Sequence, residues 1–100
     1  MKEQKYNIVL YVPLGKRYGT MTVCMEREMI RGEINIMQHL EQFEGKQYPD
    51  GSVEISGRLK TLVRLIYYKG SGMISPTNVR LLLDTGEDIF EIEGIATGGD

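Results

Sequence analysis

The residues of this 100-residue chain that could carry out chemistry are few and isolated. The only histidine, His39, precedes Glu41 by two positions, so the two side chains would share one face of a strand as a conceivable metal-binding or acid–base pair. Two ligands do not complete a zinc site, which usually takes three or four protein ligands. We therefore interpret His39 as a surface histidine near a turn, and we expect no metal and no other cofactor.

The nucleophiles are equally isolated. Cys24 is the only cysteine, so it cannot form an intramolecular disulfide, and no basic neighbour in the sequence would lower the pKa of its thiol. No serine lies in a G-x-S-x-G turn, and Gly70-Ser71-Gly72 lacks the G-K-S/T of a phosphate-binding loop. Glu91 and Glu93 fall on one face of a strand, which is typical of a solvated surface. We therefore expect a protein that is not an enzyme.

Composition limits the class of protein further. With a net charge of −2 and a sequence pI of about 5.4, the chain lacks the cationic face that nucleic-acid binding requires. No stretch approaches transmembrane length, and the apolar run Ile8–Val12 is too short for a signal peptide. We expect one cytoplasmic domain over residues 1–100, frayed near 97–100, with neither nucleic acid nor membrane as a partner.

The elements that must position these residues are strands, because apolar and polar residues alternate along most of the chain. Three turn signals separate strands: G-K-R-Y-G at 15–19, Y-P-D-G at 48–51 and D-T-G at 84–86. A helix over 34–43 is the weaker alternative there, and Leu40 and Phe43 fall on opposite faces, which predicts a bulge. The predicted strands are Tyr6–Val12, Thr20–Arg27, Met29–Met37, Leu40–Lys46, Val53–Leu59, Leu62–Lys69, Val79–Leu83 and Ile89–Ala96.

One strand, V-E-I-S-G-R-L at 53–59, carries Gly57 on its apolar face, although a glycine within a strand is destabilising by roughly 0.5–1 kcal/mol. The oddity recurs, since Gly19, Gly32, Gly45, Gly57 and Gly70 lie 13, 13, 12 and 13 residues apart. A small closed sheet needs such glycines, because an inward side chain at a coiled corner would collide with the opposite wall. Gly19 and Gly70 could instead simply flank turns.

These observations predict an all-β fold, a small antiparallel up-and-down β-barrel of about eight strands, with a two-sheet β-sandwich as the alternative. The apolar face of each strand supplies the side chains that would fill the interior. The inward candidates are Ile8, Leu10, Val12, Met21, Val23, Met25, Ile30, Ile34, Ile36, Phe43, Val53, Ile55, Leu59, Val79, Leu81, Leu83, Phe90 and Ile92.

The succession G-T-M-T-V, I-R-G-E-I, F-E-G-K, E-I-S-G-R-L and F-E-I-E-G-I-A resembles the layout of calycin-like small meander barrels, the group of the lipocalins and streptavidin-type proteins. It is also similar to short bacterial proteins of unassigned function built on that layout. The resemblance implies a barrel whose interior is filled by side chains or holds one small ligand. It adds a small apolar or amphipathic molecule to the candidate partners.

The sixth strand, L-V-R-L-I-Y-Y-K at 62–69, has no polar face, so its orientation is ambiguous. If Val63, Leu65 and Tyr67 point inward, the exterior gains an apolar interface, formed by Leu62, Ile66, Tyr68 and, from the next strand, Leu82. We favour this orientation. In the other one, Arg64 points into the barrel and needs an inward acid or an anionic ligand, since an unpaired buried charge is costly.

Two functions follow from these orientations. The first is a non-catalytic barrel that self-associates, as a homo-oligomer and most simply a dimer, or binds a protein partner through the sixth strand. The second is a binding protein for a small apolar or amphipathic ligand in the barrel, with Arg64, Tyr67 and Tyr68 as polar anchors.

Overall fold

The computed structural model describes residues 2–13, 15–36, 38–60 and 64–97, and these form eight β-strands. No helix in these four segments is long and apolar enough to cross a membrane. The strands are β1 (Lys2–Val12), β2 (Gly15–Glu26), β3 (Met29–Ile36), β4 (His39–Gln47), β5 (Ser52–Lys60), β6 (Leu65–Ile74), β7 (Asn78–Asp84) and β8 (Ile89–Ala96).

The eight strands pair in sequence order, each antiparallel to the next, and β8 pairs with β1 to close the barrel. The closure is staggered. Starting at Lys2 on β1, we can step from each residue to its directly paired residue on the next strand, around the barrel to Phe90 on β8. Phe90 lies one residue beyond the Tyr11–Glu91 pair and so stands opposite Val12 of β1. One circuit of the barrel therefore shifts the register by ten residues along β1. Closed sheets require such a stagger together with strand tilt. The predicted all-β, up-and-down barrel is therefore confirmed, and residues 34–36 and 39–43 lie in strands rather than in a helix.

The interior holds the predicted side chains. All the inward candidates are buried except Val12 and Met25, which are partly buried against the core. Three core residues were missing from the prediction: Tyr6, Tyr68 and Ile74. The Tyr6 side chain has no exposed surface, and its hydroxyl donates a hydrogen bond to the Ser75 carbonyl oxygen at 2.7 Å. A buried phenol finds a partner in this way because leaving its hydroxyl unsatisfied would be costly.

The glycines make room for large inward side chains. Phe43 lies between Gly32 on β3 and Gly57 on β5, and a Cβ at Gly57 would lie 2.8 Å from the Tyr68 hydroxyl oxygen. Two further large residues lie between glycines in the same way: Ile8 between Gly19 and Gly94, and Ile55 between Gly45 and Gly70. The inward-glycine prediction is confirmed, and Gly19 and Gly70 lie within strands rather than at turns.

Two local predictions were wrong. Residues 15–19 form the start of β2, not a turn, because they pair with Ile8–Val12 in the β1–β2 hairpin. The fourth strand carries no bulge opposite β3: the register is unbroken from Ile36–His39 to Met29–Lys46. Leu40 instead points outward, with 55% of its surface exposed. Exposing one leucine costs little free energy, so the strand keeps its regular alternation without a bulge.

The sixth strand was placed and oriented wrongly. It begins at Leu65, runs through Gly70-Ser71-Gly72 and ends at Ile74, while positions 61–63 lie outside the described residues. Tyr68 is buried and Ile66 packs against the core, whereas Leu65 and Tyr67 point outward. Hairpin pairing sets this orientation, because Leu59 and Gly57, both inward, stand opposite Ile66 and Tyr68. Arg64 precedes the strand, and its side chain is exposed.

Candidate interaction surface

The ends of β5 and β6 continue beyond their pairing with β4 and β7 at one end of the barrel. The described pairing of β5 with β4 ends at Phe43–Gly57, and that of β6 with β7 begins only at Lys69–Asp84. Residues 58–60 therefore pair only with 65–67, and Tyr68 pairs only with Gly57, so 58–60 and 65–68 have no partner in any other described strand. We call these two segments the β-arm. It is a direct consequence of the staggered closure, in which successive hairpins end at different heights.

One edge of the β-arm faces β4 across a cleft. Both strands continue past Phe43–Gly57, but their pairing stops, and a salt bridge joins the Arg58 Nε to the Glu41 carboxylate at 2.9 Å. The Glu41 side chain is only 14% exposed. This hydrogen bond, together with one to Tyr67, raises the pKa of Arg58. The ion pair therefore ties the β5 edge of the arm to the barrel.

The other edge of the arm, on the β7 side, is spanned by a looser contact. The Arg64 guanidinium lies 3.7 Å from the Glu87 carboxylate in the β7–β8 turn, and both side chains are largely exposed. Exposed ion pairs of this kind contribute about 0–1 kcal/mol.

The backbone of the arm points hydrogen-bonding groups at both edges. In an antiparallel ladder, alternate residues direct their N–H and C=O groups to opposite neighbours. The Ile74 N–H donates to the Gly51 carbonyl on the β5 side, so the even-numbered residues of β6 direct their N–H and C=O groups toward β5. The odd-numbered residues, Leu65 and Tyr67 among them, direct their N–H and C=O groups toward the β7 side. The Ser52 carbonyl accepts a hydrogen bond from the Tyr48 N–H on the β4 side. Lys60, an even number of residues along the same strand, therefore directs its N–H and C=O groups toward β4, into the cleft.

The β6 edge differs from the other overhanging edges in its side chains. Its outward residues are apolar: Leu65 is 39% and Tyr67 66% exposed. The remaining long overhangs among the described strands each carry a charged or polar outward residue: Glu3 and Lys5 on β1, Lys16 on β2, Gln42 on β4, and Arg58 and Lys60 on β5. Charged residues blunt a strand edge against unwanted pairing, and the β6 edge lacks that protection.

A groove of about 1350 Å³ runs along the outer face of the barrel to the base of the arm. Its walls there include Leu40, Arg58 and Tyr67, and Tyr68 reaches it from the interior. Burial raises the pKa of the Tyr68 hydroxyl, so this side chain stays neutral. Further along, directly opposed outward residues give the groove alternating charge; they are Glu3, Cys24, Arg31, Glu44, Ser56, Lys69 and Asp84.

The structure brings together only part of the predicted site. Tyr67 and Tyr68 both line the groove, whereas Arg64 contacts the β7–β8 turn instead. Ile66 and Tyr68 do not contribute to the exterior as an interface would require, and Leu62 lies outside the described residues. Leu82 is exposed, but it lies opposite Ser71 and Glu91, away from the arm.

Three residues of this surface were missed: Leu40, Glu41 and Arg58. Leu40 was assigned to a bulge, and Glu41 was considered only with His39. A usable signal was present, because Arg58 and Lys60 follow each other at strand spacing next to the apolar sixth strand. Two like charges along one edge are typical of an edge that must not pair.

The residues examined for chemistry lie apart from the arm or beside it without forming a reactive group. His39 and Glu41 share the inward face of β4, opposite Ile36 and Ile34. Partial burial and the nearby Glu3 carboxylate raise the pKa of the Cys24 thiol, which disfavours the reactive thiolate. Within the described segments, no three His, Cys, Asp or Glu side chains come together as a metal site would require.

Comparison of the chain with protein-family models, with curated proteins and with solved structures gives no match. The described barrel is consistent with the calycin-like layout at the level of a closed, eight-stranded antiparallel meander. The geometry of the surface itself is therefore the basis for assigning a function.

Proposed function

We propose that this protein is a non-catalytic interaction module that takes up an extended strand of a protein partner along the β6 edge of the β-arm. One observation carries the proposal: Leu65 and Tyr67 direct backbone groups to an edge that no described strand pairs with, and the same two residues expose apolar side chains. In β-strand addition, main-chain hydrogen bonds supply affinity and alternate side chains supply specificity.

The outer face of the barrel beside the arm supports a protein as partner. The groove at the base of the arm offers Leu40 and Tyr67 as apolar contacts, beside the Glu41–Arg58 ion pair. An apolar centre with a charged rim is the usual composition of a protein interface. The cytoplasmic setting, and a place among calycin-like barrels, belong to the same proposal; the closed meander supports the second.

A small amphipathic ligand is the second candidate, favoured by the joint presence of Tyr67 and Tyr68 in the groove. Such a ligand would bind on the outer face, because buried side chains from all eight strands pack the barrel interior. Arg58 would then take the role that the sequence assigned to Arg64. This observation is weaker than the one at the β6 edge, because Arg58 is already paired with Glu41.

Proline substitutions test the proposed mode of binding. A displayed library of random linear peptides would be selected against the protein, and the enriched peptides would then be measured against two variants. Leu65→Pro removes an N–H that faces the free β6 edge, at the first residue of the strand, where proline is tolerated. Lys60→Pro is the matched control, because its N–H faces the opposite edge of the same arm.

We expect selected peptides to bind the parent chain and Lys60→Pro alike, and to lose binding to Leu65→Pro. Circular dichroism and melting curves of both variants would show that each keeps the barrel. Selection of no peptide, or of peptides that bind Leu65→Pro as well as the parent, would refute strand addition at β6.

A further inference from the structure

We propose that the strand taken up is β6 of a second copy of this chain, paired antiparallel about a two-fold axis at Ile66. The inference rests on the proposed function and names its partner. Two-fold pairing of one surface with itself is the commonest arrangement of homodimers. The β6 edge meets the requirement for it, since its exposed segment is short, apolar and without charge between Leu65 and Tyr67.

The register follows from the direction of the backbone groups. With the axis at Ile66, Leu65 stands opposite Tyr67 of the second copy, and Tyr67 stands opposite its Leu65. Both residues direct N–H and C=O toward this edge, so the two pairs are the hydrogen-bonded kind and all these groups are satisfied. Moving the axis to Tyr67 would bring Lys69 into the pairing, but Lys69 is already paired with Asp84 on β7.

Side-chain chemistry distinguishes the two edges of the arm. At the β6 edge, each pair joins a leucine to a tyrosine, and aromatic–aliphatic cross-strand pairs are stabilising. The corresponding two-fold pairing of the β5 edge, about Leu59, would set Arg58 against Lys60 of the second copy, and directly opposed like charges are destabilising. Self-association therefore uses β6 and leaves β5 free.

The contact is small, which predicts a weak and reversible dimer rather than an obligate one. Sedimentation equilibrium of the full chain, from about 10 µM to about 1 mM, should show a monomer–dimer equilibrium with a dissociation constant in that range. Tyr67→Ser should weaken it by about tenfold, because each dimer loses two leucine–tyrosine pairs. Tyr18→Ser is the matched control; Tyr18 is 71% exposed but lies on β2, away from the arm.

A charge exchange tests the register. Leu65→Lys and Tyr67→Glu should each weaken self-association, but an equimolar mixture should form a heterodimer, because position 65 of one variant faces position 67 of the other. A mixture of Leu65→Lys with Leu65→Glu should not recover, since the two substituted positions are not opposed. Equal recovery in both mixtures would overturn the register at Ile66.

The outcomes separate this inference from the proposed function. A parent chain that stays monomeric to about 1 mM while selected peptides still bind the β6 edge would overturn the second copy as partner and leave strand addition standing. A dimer that survives in Leu65→Pro would overturn pairing through β6. A dimer abolished in Leu65→Pro, retained in Lys60→Pro and restored by the opposed charge pair is the result expected.

Discussion

Replacing Gly57 with alanine should destabilise the barrel, and replacing Gly32 should destabilise it more. A Cβ at residue 57 would lie 2.8 Å from the Tyr68 hydroxyl oxygen and 2.9 Å from the Gln42 carbonyl oxygen. A Cβ at residue 32 would overlap the Thr22 carbonyl and lie 2.9 Å from the ring of Phe43. The closest atom at residue 57 is the tip of a side chain, which can shift, and the Gln42 carbonyl there is only slightly too close. The closest atom at residue 32 is a carbonyl in a paired strand, and it overlaps far more deeply, so the second clash is harder to relieve.

The magnitudes follow from two opposing effects. Overpacking a filled core costs about 1–3 kcal/mol, while alanine recovers about 0.5–1 kcal/mol over glycine in an extended strand. We expect a net loss of about 1 kcal/mol for Gly57→Ala and at least about 2 kcal/mol for Gly32→Ala. In a domain of this size, 1 kcal/mol corresponds to about 4–8 °C in melting temperature. Gly57→Ala should therefore melt about 4–8 °C below the parent, and Gly32→Ala at least about twice as far below it.

Calorimetry together with urea unfolding measures these losses, and a double-mutant cycle tests their cause. Tyr68→Phe removes the atom nearest to the new methyl group, so its combination with Gly57→Ala should show a favourable coupling of about 0.5 kcal/mol or more. Ser56→Ala, an exposed neighbour on the same strand, should stay within about 0.5 kcal/mol of the parent. If both glycine variants melted at or above the parent, the inward glycines would not be there to make room, and the packing argument would fail.

Three further predictions concern polar groups. Tyr6→Phe leaves the Ser75 carbonyl without its 2.7 Å hydrogen bond, and we expect about 1 kcal/mol less stability in urea unfolding. Arg80 holds the pKa of Glu93 below its ordinary value of 4.5, so the stabilisation is complete above that pH and is lost as pH falls through the lowered pKa. The melting-temperature deficit of Glu93→Gln should accordingly shrink between about pH 6 and about pH 3; a constant deficit would contradict the linkage. Burial raises the pKa of Tyr68, so stability should fall as pH rises above about 10, and Tyr68→Phe should lessen that fall in melting curves at alkaline pH.

The core was predictable because most strands bury one face and expose the other. Under that condition, alternation alone assigns each side chain, and Met21, Val23, Leu81 and Leu83 fell where the pattern put them. The spacing of the glycines also predicted that the sheet closes on itself. An inward glycine such as Gly57 is needed only where a closed sheet leaves no room for a side chain. Both signals can be read from the sequence without knowledge of the tertiary fold.

Alternation gave no such information for β6, where both faces are apolar around Leu65–Tyr68. The orientation comes from the partner strand: once Leu59 is inward, a hairpin that pairs Lys60 with Leu65 puts Ile66 inward as well. The predicted outward face of this strand was therefore wrong, since Tyr68 is buried and Ile66 packs against the core.

The β-arm itself could not be read from any local pattern, because it arises from the stagger of the closed sheet. A barrel whose register advances by ten residues in one circuit must leave some hairpin ends unpaired on their outer edges. Unpaired edges invite association, and this chain places Arg58 and Lys60 on the β5 edge of the arm, while Leu65 and Tyr67 occupy the β6 edge. The same closure that demands inward glycines therefore creates the edges, and the side chains along each edge determine whether charge protects it against pairing.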